Sequence, residues 1–319
     1  LPQINPNNPG TAPMDARFNR ATLGVYELGS TFKPFTVAMA MDSGIIKSFG
    51  QIYNCPNALP VGGGFTITDT HPFGRSCSVA EIMKESSNIG TAQIAAQVGS
   101  QRQQDFLRRM GFLEPVQIEL HERGRTLTPG ANWGDIATMT VGYGHGIAVT
   151  PLHLALGYAT LFNGGIRRPA TLVKIGPGHP VAEGTRVFTE ETSRRMRGLL
   201  RLVVLDGTGK KAEAPGYRVG GKTGTAEKLQ GGHYSGSAVV TTFAGVFPMD
   251  APRYVVVAML DDPKATPDTY GFHTAGWNVA PVVSRVVSRV GALLGVAPDP
   301  SREADLSEVL PYVKREAAH

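Results

Sequence analysis

The chain contains 319 residues, of which 41% are hydrophobic and 18% charged, with a formal net charge of +5 and a pI near 9.2. This composition is typical of one large globular domain or two fused ones, and it excludes a disordered chain, a collagen and a long coiled coil. No apolar run reaches the roughly 18 residues of a membrane span, and we predict none. No spacing of His or Cys suits a metal, so we predict neither a metal nor another cofactor. The scattered arginines lack aromatic residues on which bases could stack, so we predict no nucleic-acid partner.

The first segments of the chain alternate between loop and helix. Residues 1–29 are rich in Pro and Asn, which predicts an irregular segment that leads to the first helix. The apolar, Gly-free run Phe32–Met41 predicts a helix of about three turns with Ser30 at its N-terminus. Residues 45–77 then predict a loop with a short hairpin around the alternating run Phe65–Thr68.

The middle of the chain is predominantly helical by its capping signals. Ser78 and Glu81 match a capping box, and the helix that they open breaks at Ser86-Ser87-Asn88 before resuming to Gly99. Further capping and periodicity signals predict helices at about 101–110, at 151–162 after Thr150 and Pro151, and at 190–205 after Thr189.

The pattern changes after Gly209. Arg218–Thr225, Val239–Phe247 and Tyr254–Leu260 are β-rich and predict an antiparallel sheet. Ala280–Leu294 has apolar residues at helical spacing and predicts a helix packed on that sheet. Residues 298–319 begin at Pro298-Asp299-Pro300 and predict a polar tail.

Cys55 and Cys77 are the chain's two cysteines. They are either two free thiols or a disulfide, which would close a loop of about 23 residues and contribute about 3 kcal/mol in an oxidising compartment. The sequence alone leaves both interpretations open.

One motif suggests a nucleotide site, because Gly216 to Thr223 matches the phosphate-binding pattern G-x-x-x-x-G-K-[ST]. That loop needs a buried strand before it and a helix starting at its lysine, so that backbone N–H groups face phosphate. Neither flank of this segment has that pattern, and we therefore reject a nucleotide site.

Three other motifs fit acyl transfer when they are taken together and in this order: Ser30-Thr31-Phe32-Lys33, Ser86-Ser87-Asn88 and Lys222-Thr223-Gly224-Thr225. Each alone is weak, since Ser30 could be a plain N-cap, Ser86 and Asn88 a helix break, and Lys222 a solvated lysine. Their order, with the first on a helix and the last on a strand, favours the functional interpretation.

The chemistry explains these residue types. Ser30 and Lys33 share one helix face, and a neutral lysine can take the proton of a serine nucleophile. The positive charge of Lys222 would favour the neutral form of Lys33. Gly224 would let an acyl substrate lie close to the strand edge, and the backbone N–H groups of Ser30 and Thr225 could form an oxyanion hole.

The same residues resemble the transpeptidase domain of class B penicillin-binding proteins, in the septal (cell-division) branch of the serine penicillin-recognising superfamily. The similarity extends over roughly residues 1–296 and rests on the segments Asn5–Asn8, Asn19-Arg20, Tyr26–Phe35, Gly142–Gly144, Val149–Leu152, Asn163–Gly165, Gly207–Gly209 and Asp261–Lys264.

The resemblance implies an α/β (α+β) fold: a five-stranded, mainly antiparallel sheet flanked by helices, with an all-helical subdomain between the S-x-x-K and K-T-G motifs. The transpeptidase domain would span 1–297, its sheet-containing part about 1–45 and 206–297 and its helical part about 46–205, followed by the tail 298–319.

The resemblance also implies a periplasmic D,D-transpeptidase that cross-links peptidoglycan stem peptides and is acylated by β-lactams. Ser30 would attack the D-Ala-D-Ala carbonyl and Lys33 would shuttle its proton. Ser86 and Asn88 would relay protons and hold the substrate amide, while Lys222, Thr223 and Thr225 would bind the terminal carboxylate. Divisome membrane proteins, including a glycosyltransferase, are the expected partners.

The chain differs from the family pattern because it lacks an inner-membrane anchor, an N-terminal module and a sheet strand before Leu1-Pro2. Two alternatives stay open. A serine β-lactamase shares the motifs, although no E-x-x-L-N stretch is present and Asn88 is unusual for the lactamase class with Ser-Thr-Phe-Lys. A non-catalytic β-lactam sensor or divisome scaffold is the other.

Overall fold

The computed structural model describes residues 4–5, 7–130, 133–178, 180–230 and 233–313. Its α-helices are α1 (Met14–Arg17), α2 (Lys33–Asp42), α3 (Val79–Lys84), α4 (Asn88–Val98), α5 (Ser100–Met110), α6 (Asp135–Gly142), α7 (Pro151–Phe162), α8 (Glu190–Asp206), α9 (Ala275–Asn278) and α10 (Ala280–Val290). Its strands are β1 (Ile52–Cys55), β2 (Ala58–Gly62), β3 (Phe65–Thr68), β4 (Arg75–Ser78), β5 (Ile166–Arg167), β6 (Thr185–Arg186), β7 (Gly220–Gln230), β8 (His233–Phe247) and β9 (Tyr254–Asp261).

Strands β7, β8 and β9 form an antiparallel sheet in that order. Side chains of β8 alternate between its two faces, as the two-residue period of a strand requires. Val240 and Ala244 join the core shared with α2 and α7, whereas Phe243 joins a second core formed with Val283 and Val287 of α10. The sheet therefore lies between two helical layers, and the prediction that the last long helix packs on it is confirmed.

Helix α2 is the central helix of the larger core. Every residue from Lys33 to Met41 is buried, which agrees with the absence of a polar face in this run. Phe35 packs edge-on against Phe112 and Tyr158, so residues of the loop after α5 and of α7 surround it. This burial fixes the helix that directly follows Ser30.

Most predicted elements have the expected type and position. The capping box is present, since the Ser78 hydroxyl accepts from the N–H of Glu81 at 3.1 Å and the Ser78 N–H donates to Glu81 Oε2 at 2.9 Å. Helix α7 spans the predicted residues. Strand β7 begins later than predicted, at Gly220, because Arg218 has a φ of 50° that interrupts extended backbone.

Two expectations about the architecture are wrong for the described residues. The main sheet there has three strands and not five, because the other extended segments pair locally in two-stranded ribbons: β1 with β4, β2 with β3, and β5 with β6. These ribbons lie within residues 46–205, so that part of the chain is not all-helical.

The segment after Pro298 is bound to the body of the protein. Buried Arg201 of α8 pairs with Glu303 at 2.7 Å and also with Glu213, while Arg195 pairs with Glu308 at 2.6 Å. The hydroxyl of Ser78 donates to the carbonyl of Tyr312 at 2.8 Å. This polar segment therefore links α8 to the start of α3; the structure of residues 314–319 lies outside the described ranges.

A disulfide joins Cys55 to Cys77, which lie on the paired strands β1 and β4. Both side chains are fully buried. Within the described ranges, no helix has the length and apolarity needed to cross a membrane, and no three side chains of His, Cys, Asp or Glu are grouped so that they could hold a metal ion.

Candidate active site

Ser30 lies in a 3-10 turn, Gly29–Phe32, that leads directly into α2. The N–H of Lys33 donates to the carbonyl of Ser30, which closes the turn. Ser30 is half-buried and Lys33 is fully buried. The prediction that Ser30 stands at a helix N-terminus one turn before Lys33 is therefore confirmed, with the refinement that the serine occupies the preceding 3-10 turn.

Two glycines allow other segments to approach this turn. A Cβ on Gly224 of β7 would lie 2.3 Å from the carbonyl oxygen of Leu28, and one on Gly144 would lie 2.0 Å from that of Gly29. Both distances are far below van der Waals contact, so a side chain at either position would push the turn away. The close approach of the turn that contains Ser30 thus requires a glycine at position 224. The sequence had suggested a different reason for this glycine, the close approach of the substrate.

Ser86 lies at the break between α3 and α4, where its φ of 64° reverses the chain direction. Ser87 caps α4 by accepting from the N–H of Gly90 at 2.9 Å. The carboxylate of Asp69 accepts from the Ser87 hydroxyl at 2.6 Å, from the N–H of Ile89 at 3.1 Å and from the N–H of Asn88. Asp69 therefore holds the whole motif, and the Asn88 side-chain amide donates to the carbonyl of Thr68 at 3.0 Å.

We expect Asp69→Ala to lower the free energy of unfolding by about 1–2 kcal/mol, the usual effect of losing an N-terminal cap, and to slow acylation, because Ser86 and Asn88 would lose their support. Chemical denaturation and penicillin acylation rates measure the two effects. Asp105→Ala is the matched control, since its carboxylate makes an exposed pair with Arg108. Equal effects of the two substitutions would contradict the role given to Asp69.

Lys222 extends from strand β7 and is fully buried. Because residues 220–230 form a strand and no helix begins at Lys222, the phosphate-loop geometry is absent from this segment, which agrees with its rejection. The Lys222 ammonium lies 2.9 Å from Ser86 Oγ and 3.1 Å from the carbonyl of Thr223. The sheet thus directs this lysine towards the serine at the helix break.

Ser86 Oγ is the point at which the three motifs meet. Lys33 Nζ lies 3.1 Å from it and also contacts the Ser86 carbonyl oxygen, while Lys222 Nζ approaches from the sheet side. A hydroxyl between two amines can accept from one and donate to the other. The arrangement can therefore transfer a proton between the amines of Lys33 and Lys222.

Burial governs the protonation of the two lysines. Loss of solvation lowers the pKa of Lys33 well below its ordinary value, the positive charge of Lys222 lowers this pKa further, and the Asp69 carboxylate opposes both. Burial also lowers the pKa of Lys222 to about 7, against an opposing effect of Glu85. These effects favour the neutral form of Lys33, in the direction that the sequence predicted, although burial contributes more than the like charge of Lys222.

We expect Lys222→Ala to slow acylation about 10- to 100-fold, because Ser86 Oγ loses a charged hydrogen bond. Removing the like charge also raises the pKa of Lys33. Since acylation needs neutral Lys33, the acid limb of its pH profile should move to higher pH. The measurement is the second-order acylation rate against pH, with Lys228→Ala on the same strand as the control. An unmoved profile would contradict the electrostatic effect.

The two threonines of the K-T-G-T segment are already bonded within the protein. Thr223 Oγ1 shares a hydrogen bond of 2.7 Å with Thr208 Oγ1, and Thr225 Oγ1 accepts from the N–H of Ala275 at 3.1 Å. The carbonyl oxygen of Thr225 would lie 3.1 Å from a Cβ on Gly29, so the backbones next to Ser30 and at Thr225 are adjacent.

Sequence analysis missed two residues that position the site. Asp69 gave no signal, since a single carboxylate in a predicted loop is ordinary. Thr208 was noted only within Gly207–Gly209 as part of a resemblance, yet its hydroxyl lies 3.5 Å from Lys222 Nζ as well as beside Thr223. Neither role could be found without the pairing of distant segments.

The site has a serine in front of a helix, a buried lysine of lowered pKa one turn later and a second buried lysine on the edge strand of the sheet. These features define the active-serine acyltransferase class on an α/β fold. The chain belongs to the penicillin-binding protein family within this class: the model described as "Penicillin binding protein transpeptidase domain" matches residues 2–284. The resemblance inferred from the motifs is therefore confirmed.

Named relatives agree with this assignment. The chain is 40% identical over 305 residues to the probable peptidoglycan D,D-transpeptidase FtsI of Caulobacter vibrioides, covering 92% of this chain and 51% of that protein. It is 33% identical over 310 residues to the peptidoglycan D,D-transpeptidase FtsI of Escherichia coli, covering 96% and 50%. The chain thus spans about half the length of the curated relatives it matches.

Solved structures show the same fold. The transpeptidase domain of penicillin-binding protein 3 from Burkholderia pseudomallei has a TM-score of 0.80 and 34% identity, covering 88% of this chain and 83% of that one. Penicillin-binding protein 3 from Mycobacterium tuberculosis, complexed with ampicillin, has a TM-score of 0.81 and 27% identity, covering 95% and 69%.

Proposed function

We propose that this chain is the catalytic domain of a septal peptidoglycan D,D-transpeptidase that forms an acyl-enzyme at Ser30 and is a target of β-lactams. The observation that supports this most is the meeting of Lys33 and Lys222 at Ser86 Oγ, next to the turn that contains Ser30. The names of the relatives support the reaction, and the resemblance of the motifs to the septal branch supports the place in cell division.

In the proposed first half-reaction, Ser30 Oγ attacks the carbonyl carbon of the D-Ala-D-Ala amide while neutral Lys33 takes its proton. The C–N bond then breaks, and the proton returns through Ser86 Oγ and the lysines to the departing D-Ala amine. The N–H groups of Ser30 and Thr225 stabilise the oxyanion. Asn88 holds the substrate amide, and Lys222, Thr223 and Thr225 bind the terminal carboxylate. Gly224 lets the acyl substrate lie close to the strand edge.

The proposal extends to the whole protein. The transpeptidase domain spans 1–297, with a sheet-containing part at about 1–45 and 206–297, a part rich in helices at about 46–205, and the polar segment 298–319. The domain acts in the periplasm and is part of a protein anchored in the inner membrane. Divisome membrane proteins, among them a glycosyltransferase, are its partners, and the resemblance to the septal branch supports these assignments.

The deciding experiment mixes the chain with a donor stem peptide ending in D-Ala-D-Ala and an acceptor stem peptide with a free amine, and detects the cross-linked product by mass. Cross-linking that Ser30→Ala loses is the expected result. Rapid turnover of labelled penicillin without cross-linking would identify a β-lactamase, and stable acylation without cross-linking would identify a sensor; either outcome would overturn the proposal.

A further inference from the structure

A polar cluster outside the three motifs borders the turn that contains Ser30. Glu27, three residues before Ser30, accepts from the N–H of Gly146 at 3.0 Å and from the Tyr234 hydroxyl at 3.2 Å. Three segments that are distant in sequence thus meet at one carboxylate. The first half-reaction uses none of these groups, although Gly144 next to them abuts Gly29.

His145 completes this cluster and has an unused ring nitrogen. Its ring lies between those of Tyr143 and Tyr234, with centroid distances of 5.2 and 6.0 Å. Its Nδ1 is buried and has no hydrogen-bond partner in the described part of the protein. A buried polar atom without a partner is costly, and such atoms are commonly satisfied by a ligand.

The side chains of this cluster suit a primary amine. A primary ammonium has three donors, and the cluster offers carboxylate, phenol and imidazole acceptors. Burial, then the charge of Lys33, lowers the pKa of His145 to about 4, so the ring is neutral and does not repel a cation. Tyr234 is 47% exposed, which leaves the cluster accessible from solvent.

We propose that Glu27, His145 and Tyr234 form the subsite that binds the amine of the acceptor peptide. This inference rests on the proposed function, which requires an amine to reach the Ser30 acyl-enzyme, and it adds the place where that amine is held and the residues that hold it. Glu27 precedes the nucleophile by three residues on the same segment, and Gly144, next to His145, abuts Gly29 of the turn that contains Ser30. The proposal therefore has the bound amine approach the acyl group from this side of the turn.

In the proposed transfer step, a C–N bond to the acceptor amine replaces the C–Oγ bond of the acyl-enzyme. The ammonium gives one proton to the Glu27 carboxylate, and its freed electron pair forms the C–N bond with the acyl carbon. The C–Oγ bond breaks, and Ser30 Oγ takes, through Lys33, the proton lost by the attacking nitrogen. Glu27 then releases its proton to water. Burial raises the pKa of Glu27, against the Gly146 N–H and Tyr234 hydroxyl, which favours its proton uptake.

The test separates acyl-enzyme formation from amine capture. The first readout is the acylation rate with labelled penicillin, which needs no acceptor. The second uses a thioester donor and a stem peptide with a free amine, and measures the ratio of amide product to hydrolysis product. The same peptide with its amine acetylated gives the background. The variants are Glu27→Gln, Tyr234→Phe and the control Glu227→Gln, which removes a carboxylate close to Tyr234.

Glu27→Gln should lower the product ratio at least about tenfold and Tyr234→Phe about three- to tenfold, while acylation stays within about threefold and Glu227→Gln changes neither. The subsite is overturned if the product ratio is unchanged in both Glu27→Gln and Tyr234→Phe. It is also overturned if the product ratio and the acylation rate fall together. Neither outcome contradicts the proposed function. A parent chain that penicillin does not acylate would instead overturn the proposed function, and the subsite with it.

Discussion

Ser30→Ala is expected to abolish the covalent adduct that penicillin forms with this chain. Ser30 lies in the turn directly before α2, which begins at the buried Lys33, and removing its hydroxyl leaves no oxygen at this position to attack a carbonyl. Intact-mass measurement should show one penicillin increment on the parent chain and none on the variant. The fold should be unaffected, since alanine fits a half-buried turn.

Ser76→Ala provides the control, because this serine is exposed on strand β4 and belongs to none of the three motifs. It should acquire the increment at the parental rate. An adduct on Ser30→Ala, located by peptide mapping to Ser86 or another residue, would show that the nucleophile is assigned wrongly.

Lys33→Met is expected to slow acylation by about 10²- to 10⁴-fold, the usual contribution of a positioned general base. Methionine has a similar length and no charge, so it can occupy the buried space that a neutral amine fills. Equilibrium binding of a penicillin to the Ser30→Ala and Lys33→Met double variant should remain close to that of Ser30→Ala. Stopped-flow acylation and a binding titration measure the two quantities.

Lys84→Met is the matched control for a buried lysine. Its burial favours the neutral amine, but hydrogen bonds and charges of Asp206 and Glu85 outweigh this and raise the pKa of Lys84. Lys84 is therefore a charged structural lysine at the end of α3. We expect its replacement to lower stability and to leave acylation within about threefold. Acylation losses of similar size in both variants would argue against proton transfer by Lys33.

The sequence was most informative where local rules decide the structure. The capping box at Ser78, the cap at Thr150 and the β-rich run Val239–Phe247 depend on neighbouring residues, and each was predicted correctly. The five-stranded sheet was implied by the resemblance and by no local pattern, and the main sheet has three strands in the part of the chain that the structure describes. The pairing of Ile52–Cys55 with Arg75–Ser78 was also not predicted, because it joins segments that are distant in sequence.

The residues of the site also fall into those that the sequence identified and those that only contacts between distant segments reveal. Three motifs identified Ser86 and the two lysines that contact its Oγ, because the chemistry demands those residue types in that order. Asp69, Thr208 and Glu27 act through contacts with segments that fold beside them, and such contacts have no local signature. The requirement for glycine at position 224 by the Leu28 carbonyl oxygen escaped the sequence for the same reason, since only the structure shows which backbone lies against it.

The residues that meet at Ser86 are far apart in the sequence, so they leave the ribosome at very different times. Its hydroxyl meets Lys33 from 53 positions earlier and Lys222 from 136 positions later. Contacts this far apart fold late and slowly, because long loops must close before they form. Lys33 and Ser86 therefore emerge long before strand β7, which carries the second lysine. Ser86 Oγ can contact both lysines only after this part of the sheet has docked.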